Sequence, residues 1–317
     1  MTGSFDYYYK KTNDILVQTP YIAAMGEGGE PWVNGASMNN QGVEFTVSFK
    51  SDPSSEFQWA VSANIGTYKT ELTDLPSNVI NKYAGDGVHD LILGRSPNSA
   101  YGLVADGIFK TQEEVDAHAD QPGKAVGRIR YKDLDGDGVI NETYDRTWIG
   151  CYDPDFFGGL NFDFAYKGFD LNLFFEGMFG NDVNSDWKKE SDIWLFTNPA
   201  WKNHATRMLG GWSPDNPNSD IPAISNNTAN QEQRFSSWFI EDGSYIKLRN
   251  IELGYTFPTK LIKKMHMSNL RLYAAAYNVF TLKKFWGDDK YTSFDPERPS
   301  YHYLTPFTFN FGINVSF

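Results

Sequence analysis

Residues 307–317 read FTFNFGINVSF. Phe307, Phe309, Phe311, Ile313, Val315 and Phe317 alternate with Thr308, Asn310, Gly312, Asn314 and Ser316. A period of two sends the two sets to opposite faces of a β-strand, one apolar and one small and polar. The alternation recurs upstream, where Val43, Phe45, Val47 and Phe49 stand against Glu44, Thr46, Ser48 and Lys50. Phe57, Trp59, Val61, Ala63 and Ile65 repeat it, as do Leu160, Phe162 and Phe164 and then Phe169, Leu171, Leu173 and Phe175. Segments 244–257 and 268–282 carry a less regular version, and 3–10 reads as a short aromatic strand.

Eight strands follow, at about 3–10, 41–50, 56–71, 156–166, 168–180, 244–257, 268–282 and 305–317. Their joins alternate in length. The long ones are 11–40, 72–155, 181–243 and 283–304; the short ones are 51–55, the YKG turn at Gly168 and 258–267. Long loops at one end, short turns at the other and strands with one apolar face are the marks of an outer-membrane β-barrel. A last strand running down to Phe317 places the long joins outside the cell. Tyr7, Tyr8, Tyr9, Tyr166, Tyr255, Tyr273 and Tyr277 would form girdles at the membrane surfaces. The inward polar residues Asn161, Asp163, Asp170, Asn172 and Glu176 would line the interior. The fold class is thus all-β, an antiparallel transmembrane barrel segment; the alternative is a soluble calcium-stapled, glycan-binding β-sandwich. Short helices are expected only at TQEEVDAHA, SDWKKESDIWLF and TKLIKKM.

Composition agrees. The chain has 317 residues, 16% of them aromatic, and its mean hydropathy is −0.49. Aromatic wealth beside low hydropathy suits an all-β chain that faces two solvents, and no 18-residue apolar run reads as a transmembrane helix. A net charge of −12 argues against nucleic acid as a partner, since phosphate binding needs a basic surface. One cysteine, Cys151, excludes an internal disulfide and a thiolate zinc site. The N-terminus, MTGSFDYYYKKTND, has no basic region followed by an apolar one, so it does not read as a signal peptide.

Several stretches resemble the SusC/RagA group of TonB-dependent outer-membrane transporters. They are SFDYYYKKTNDIL (4–16), NNQGVEFTVSF (39–49), YGLVADGIFKTQEEVDA (101–117), GRIRYKDLDGDGVI (127–140) and RTWIGCYDPDFFGGLNFDFAYKGFDLNLFFEGMFGNDV (146–183). FIEDGSYIKLRNIELGYTFP (239–258), LRLYAAAYNVFTL (270–282) and the terminal FTFNFGINVSF complete the series, in family order. The resemblance implies a 22-stranded barrel with an N-terminal plug. It implies import of glycans or peptides with a SusD-like surface lipoprotein, energised by TonB, and no enzymatic activity. It also makes Phe317 part of the signal read by the barrel-assembly machinery. The match falls on the C-terminal part of the family pattern only. Residues 1–317 therefore read as C-terminal barrel strands without plug, TonB box or signal peptide. A truncated gene, a misplaced start or one piece of a split gene would give such a fragment.

One motif carries ligand chemistry. Asp133, Asp135 and Asp137 alternate, Gly138 holds the sixth position, Val139 offers a carbonyl and Asn141 the ninth position. This follows the first half of an EF-hand loop and suits Ca²⁺ as a structural staple. The twelfth position departs from the pattern: Tyr144 stands there and Asp145 follows one place late. In the 181–243 loop, Trp187, Trp194, Trp201 and Trp212 suit stacking on a sugar or contact with a partner, Trp238 lies in the same loop, and anchoring of a folded loop is the plainer alternative. Asp288, Asp289 and Glu297 could resemble the paired acids of a glycosidase, with nothing to fix their spacing. Gly158 and Gly159 suit a bend or bulge at a strand start.

Overall fold

Lys167 and Gly168 have φ of 48° and 88°. Both are left-handed, as a type I′ hairpin turn requires. They join Phe156–Tyr166 to Phe169–Phe179, and that hairpin is the middle of a larger sheet. In the computed structural model residues 1–18, 31–77, 79, 91–193, 204–225, 231–283, 292–299 and 303–317 are described. The strands are β1 (Thr2–Gln18), β2 (Trp32–Lys50), β3 (Phe57–Asp74), β4 (Ser99–Leu103), β5 (Ala105–Ile108), β6 (Ile129–Tyr131), β7 (Arg146–Cys151), β8 (Phe156–Tyr166), β9 (Phe169–Phe179), β10 (Asp182–Asn184), β11 (Ile240–Asp242), β12 (Tyr245–Thr256), β13 (Asn269–Lys283) and β14 (Thr308–Ser316). The helices α1 (Gln112–Ala117), α2 (Asp186–Lys188) and α3 (Thr259–Ile262) fall inside the three expected helical segments.

The main sheet has eight strands in the order β1-β2-β3-β8-β9-β12-β13-β14, each antiparallel to its neighbour. These are the eight strands expected from the alternation. The register aligns their faces. Phe45, Ile65 and Gly158 stand in one cross-strand row, and Val61, Phe162, Leu173, Ile251 and Ala276 in another, so the apolar positions form a continuous belt. No layer covers this belt among the described residues: Phe311 is 77% and Ile313 65% exposed. A sandwich would bury that face against a second sheet; this sheet leaves it open. The face and the alternating joins match an antiparallel barrel wall.

Three expectations need correction. The first two strands are much longer than 3–10 and 41–50, and the 11–40 join shrinks to 19–31. Beyond the apolar belt the ladder crosses a mainly polar stretch, Lys10↔Asn40 to Thr12↔Met38, shifts register between Thr12 and Ile15, and runs on through Ile15↔Ala36 and Val17↔Val33 as far as Gln18↔Trp32. Backbone pairing does not need apolar side chains, so the alternation loses sight of it. A transmembrane strand needs about 10 residues, so β1 extends roughly 25 Å further. Second, the tyrosines do not all face outward. Tyr8 pairs with Gly42, and Tyr273 with Gly254 and Gly312, on the polar face, and Tyr277 shares that face opposite Asn250. Consecutive Tyr7, Tyr8 and Tyr9 must alternate. Third, Gly158 and Gly159 sit in an unbroken ladder, opposite Ile65 and Asn64. A Cβ on Gly158 would run into the Asn64 carbonyl, so close approach of the strands explains the glycine. The irregularity of segments 244–257 and 268–282 has its own cause. A bulge between Leu248 and Asn250 switches the outward set from Ile246 and Leu248 to Ile251, Leu253 and Tyr255.

The long joins between β3 and β8 and between β9 and β12 fold together. β4 pairs with β7, β5 with β6 and β10 with β11, and Leu103 bridges to Ser236. Leu103, Ile108, Ile129, Tyr131, Ile140, Ile193 and Phe239 form one buried core, with Trp212 and Trp238 packed on it. A second core joins Val17, Ala36, Leu72, Leu75, Val79 and Ile92 above β1–β3.

Candidate functional site

The polar face of the sheet carries an ordered network. The Asn172 amide donates to Asn161 (3.0 Å) and to Asp163 (2.7 Å), and Asn161 donates to Asp163 (2.6 Å). Asn250 donates to Asn172 (2.9 Å). Near the short joins the Arg271 guanidinium holds Asp170 (3.0 Å from Nε) and Glu252 (2.7 Å). Near the long joins Arg249 donates to Glu176 (2.8 Å) and to Glu297. The inward residues expected from the alternation, Asn161, Asp163, Asp170, Asn172 and Glu176, thus share one face; Asn161, Asp163 and Asn172 bind one another, and Asp170 and Glu176 hold arginines from β13 and β12.

Lys247, Arg249 and Arg271 were not singled out by sequence. The bulge in β12 breaks the alternation that would have marked Lys247 and Arg249. Lys247 is 1% exposed and donates to Asp295 (2.6 Å) and Glu297, which ride on the segment between β13 and β14. The Tyr245 hydroxyl donates to Glu297 (3.0 Å), the Lys283 ammonium holds the Phe294 carbonyl (3.0 Å), and Ser185 and Ser293 hydroxyls meet at 2.8 Å. Segment 292–299 is thereby strapped across the polar face beside the mouth. Lys247 holds the Asp295 and Glu297 carboxyls below their ordinary range, against the opposing effect of burial. Glu297 is therefore an ion-paired carboxylate, which is unsuited to a proton-donating acid. Asp288 and Asp289 lie outside the described residues.

The acidic loop lies in the loop layer. Asp133, Asp135 and Asp137 each bring a carboxylate oxygen within 4.8 Å of the others. Gly136 and Gly138 have φ of 76° and 85°, which the turn between the acids demands. Asp133 accepts from Gly138 N–H (2.9 Å) and Gly136 N–H (2.7 Å), and these bonds hold its pKa below the usual range. Asp135 accepts from Asp137 N–H, which lowers its pKa. Desolvation and the neighbouring carboxylates of Asp137, Asp145 and Asp133 outweigh that bond and push the group up. Asp145 is fully buried, and its two oxygens accept from Leu134 N–H (2.8 Å) and Asn141 N–H (2.7 Å). The Asn141 side-chain oxygen accepts from Thr143 and Tyr144 N–H. The structure therefore gathers the first three acids, while Asp145 and Asn141 serve the backbone of the loop. The Val139 segment docks on Asp120, whose N–H donates to Gly138 C=O (2.8 Å).

Trp212 packs on the loop core, and Trp187 lies edge-on to Phe294 with centroids 4.7 Å apart. Trp194 and Trp201 lie outside the described residues. Phe317 is 87% exposed at the short-join end, and its carbonyl accepts from the Ser268 hydroxyl (3.5 Å).

No family model matches the chain. TonB-dependent receptor P3 of Formosa agariphila is 30% identical over 332 residues, which cover 99% of this chain and 32% of that protein. TonB-dependent receptor SusC of Bacteroides thetaiotaomicron is 26% identical over 330 residues, covering 100% of this chain and 30% of that one. Among solved structures, the RagAB peptide transporter superposes with a TM-score of 0.76 at 23% identity, covering 99% of this chain and 33% of that chain. The RagAB peptide importer in its 'open-open' state gives 0.73 at 22%, covering 99% and 32%. Those two likenesses establish the fold, a stretch of barrel wall with its loops. The chain is a homologue, along nearly all of its length, of the SusC-type TonB-dependent receptors, and it spans about a third of the length of the relatives it matches.

Proposed function

We propose that this chain forms the C-terminal part of the wall, and part of the extracellular loop layer, of an outer-membrane importer for glycans or peptides. The two-faced sheet carries the reading: an open apolar belt outside, a hydrogen-bonded polar face inside, and every long join at one end. In this reading lipid covers the belt, and the polar face meets the plug supplied by the rest of the receptor. The loop layer meets a SusD-like surface lipoprotein, and TonB acts through the plug portion. RagAB, whose fold this chain shares, is named a peptide transporter, and SusC relatives supply the group identity. The chain has no catalytic role here. An antibody to residues 305–317, used on separated cell fractions, tests the reading. A band in the outer membrane, larger than 36.0 kDa, supports it; a band confined to the soluble fraction overturns it.

The acidic loop is proposed to hold Ca²⁺ through Asp133, Asp135 and Asp137 with the Val139 carbonyl. Three carboxylates this close repel unless a cation stands between them, and hard oxygen ligands favour calcium. The ion would staple the loop layer.

A further inference from the structure

The three short joins differ in charge. Residues 51–56 carry Asp52 and Glu56, and Lys167 in the tight turn is paired with that glutamate at 3.1 Å. The third join, FPTKLIKKMHMS (257–268), carries Lys260, Lys263, Lys264 and His266 and no acid, in a chain of net charge −12. All three lysines are exposed, and none forms an ion pair among the described residues. The join folds as α3 followed by a single turn at Lys263–Met265, closed by His266 at φ 57°. Ile262 is buried and fixes this turn to the sheet, but Leu261 is 63% and Met265 59% exposed. These two are four residues apart, a spacing that puts side chains on one side of a helical turn.

The neighbourhood completes the pattern. The outward aromatics of this end sit just above the join: Phe169 and Tyr255 have centroids 4.6 Å apart, Tyr255 and Phe257 5.0 Å, and Phe57 and Tyr166 6.3 Å. Aromatic rings at the border of an apolar belt mark a membrane–water boundary. A lysine-flanked apolar pair directly beyond such a border has the make-up of an interfacial anchor, with stems in the acyl boundary and ammonium groups at the phosphates.

We propose that the 257–268 join binds anionic phospholipid of the leaflet at the short-join end, with Leu261 and Met265 in the acyl boundary and Lys260, Lys263 and Lys264 on the phosphates. Charge complementarity and continuity with the aromatic border select this occupant. The proposal rests on the barrel-wall reading above. It makes the join a fixed foot that sets the depth and tilt of this part of the wall.

The test uses the full receptor containing this chain, reconstituted in vesicles of phosphatidylcholine alone or mixed with phosphatidylglycerol, and native mass spectrometry of the lipids it retains. The unaltered receptor should enrich phosphatidylglycerol about tenfold at low salt and lose the enrichment at high salt. Lys260→Gln/Lys263→Gln/Lys264→Gln should insert equally well and lose the enrichment, whereas the triple Lys→Arg variant should keep it. Equal enrichment by the Gln variant, or its loss in the Arg variant, overturns the proposal while leaving the barrel reading intact. Failure of the unaltered receptor to enter either kind of vesicle overturns the barrel reading instead.

Discussion

The wall and the loop layer are made in opposite ways. In the wall, stability comes from a ladder of neighbouring strands, and the largest apolar side chains point away from the protein. Phe309, Phe311 and Ile313 are all more than half exposed. In the loop layer, Leu103, Ile129, Tyr131 and Phe239 are buried almost completely in an ordinary core. Ion pairs divide the same way. On the wall Arg271, Asp170 and Glu252 stay partly exposed along the polar face, and Lys247 is buried where segment 292–299 straps across it. In the loop layer Arg128 and Glu232 meet at 2.7 Å with side chains only 6% and 5% exposed. The wall is organised for two solvents and the loops for one.

The largest expected effect lies in that buried pair. Glu232 also accepts the Ile129 N–H (2.9 Å), so it joins two long loops to the core strand β6. Arg128→Ala leaves a buried carboxylate without its cation and should destabilise the loop layer by about 3–5 kcal/mol. Hydrogen exchange of β5 and β6 would show it. Burial already pushes the Glu232 pKa up, against the pull of Arg128. Without the arginine the folded state binds that proton more tightly than the unfolded chain does. The damage should therefore be greater near pH 8 than near pH 5, because a raised carboxyl loses folded-state stability as pH rises. Arg128→Met/Glu232→Gln, which removes both charges and keeps an acceptor for the Ile129 N–H, should recover part of the loss. Equal damage at both pH values would place the cost outside the charge.

Next comes a pair of adjacent positions on β2. Val47 faces the apolar belt and Thr46 the polar face. Val47→Lys puts a charge near mid-membrane and should cost about 2–4 kcal/mol of folding in a bilayer, whereas Thr46→Lys should cost less than about 1 kcal/mol. Urea titration of the receptor in vesicles reads both. Equal costs would sink the assignment of the two faces.

The wall was legible because its signal is local. A period of two over residues 307–317 is visible without any other part of the chain, and the joins between such segments fixed the order of all eight strands. Legibility ended where that signal stops. In β1 and β2 the period of two breaks at the polar stretch Lys10–Thr12 and the register shifts beyond it, and the bulge before Asn250 hides Lys247 and Arg249. In the loop layer almost nothing was legible, because contacts such as Arg128–Glu232 join residues 104 positions apart with no periodic trace. The acidic loop was a mixed case. Its first half has a local spacing rule, and Asp133, Asp135 and Asp137 do converge. Asp145 stands one place late in the spacing, and its carboxylate accepts from two backbone amides, contacts that spacing does not show.

That division of labour within one loop yields the smallest effects and the finest test. Asp145→Ala removes the acceptor of the Leu134 and Asn141 N–H groups and should cost about 1–3 kcal/mol with or without calcium. Asp135→Ala removes an exposed side chain and, without calcium, should stay within about 0.5 kcal/mol of the unaltered protein. Calcium at a hundred times its dissociation constant should stabilise the unaltered loop layer by about 2.7 kcal/mol. Thermal unfolding followed by near-ultraviolet circular dichroism, with and without the ion, separates the roles. If Asp133, Asp135 and Asp137 hold the cation, the calcium shift survives in Asp145→Ala and vanishes in Asp135→Ala. If Asp145 is the missing acid of the EF-hand pattern, the shift vanishes in both. Because desolvation and its neighbours' charges push Asp135 up, protons compete for the site, and the shift should shrink as pH falls toward the carboxylate range. A calcium shift that is flat across that range would mean that the ion, if bound at all, sits elsewhere.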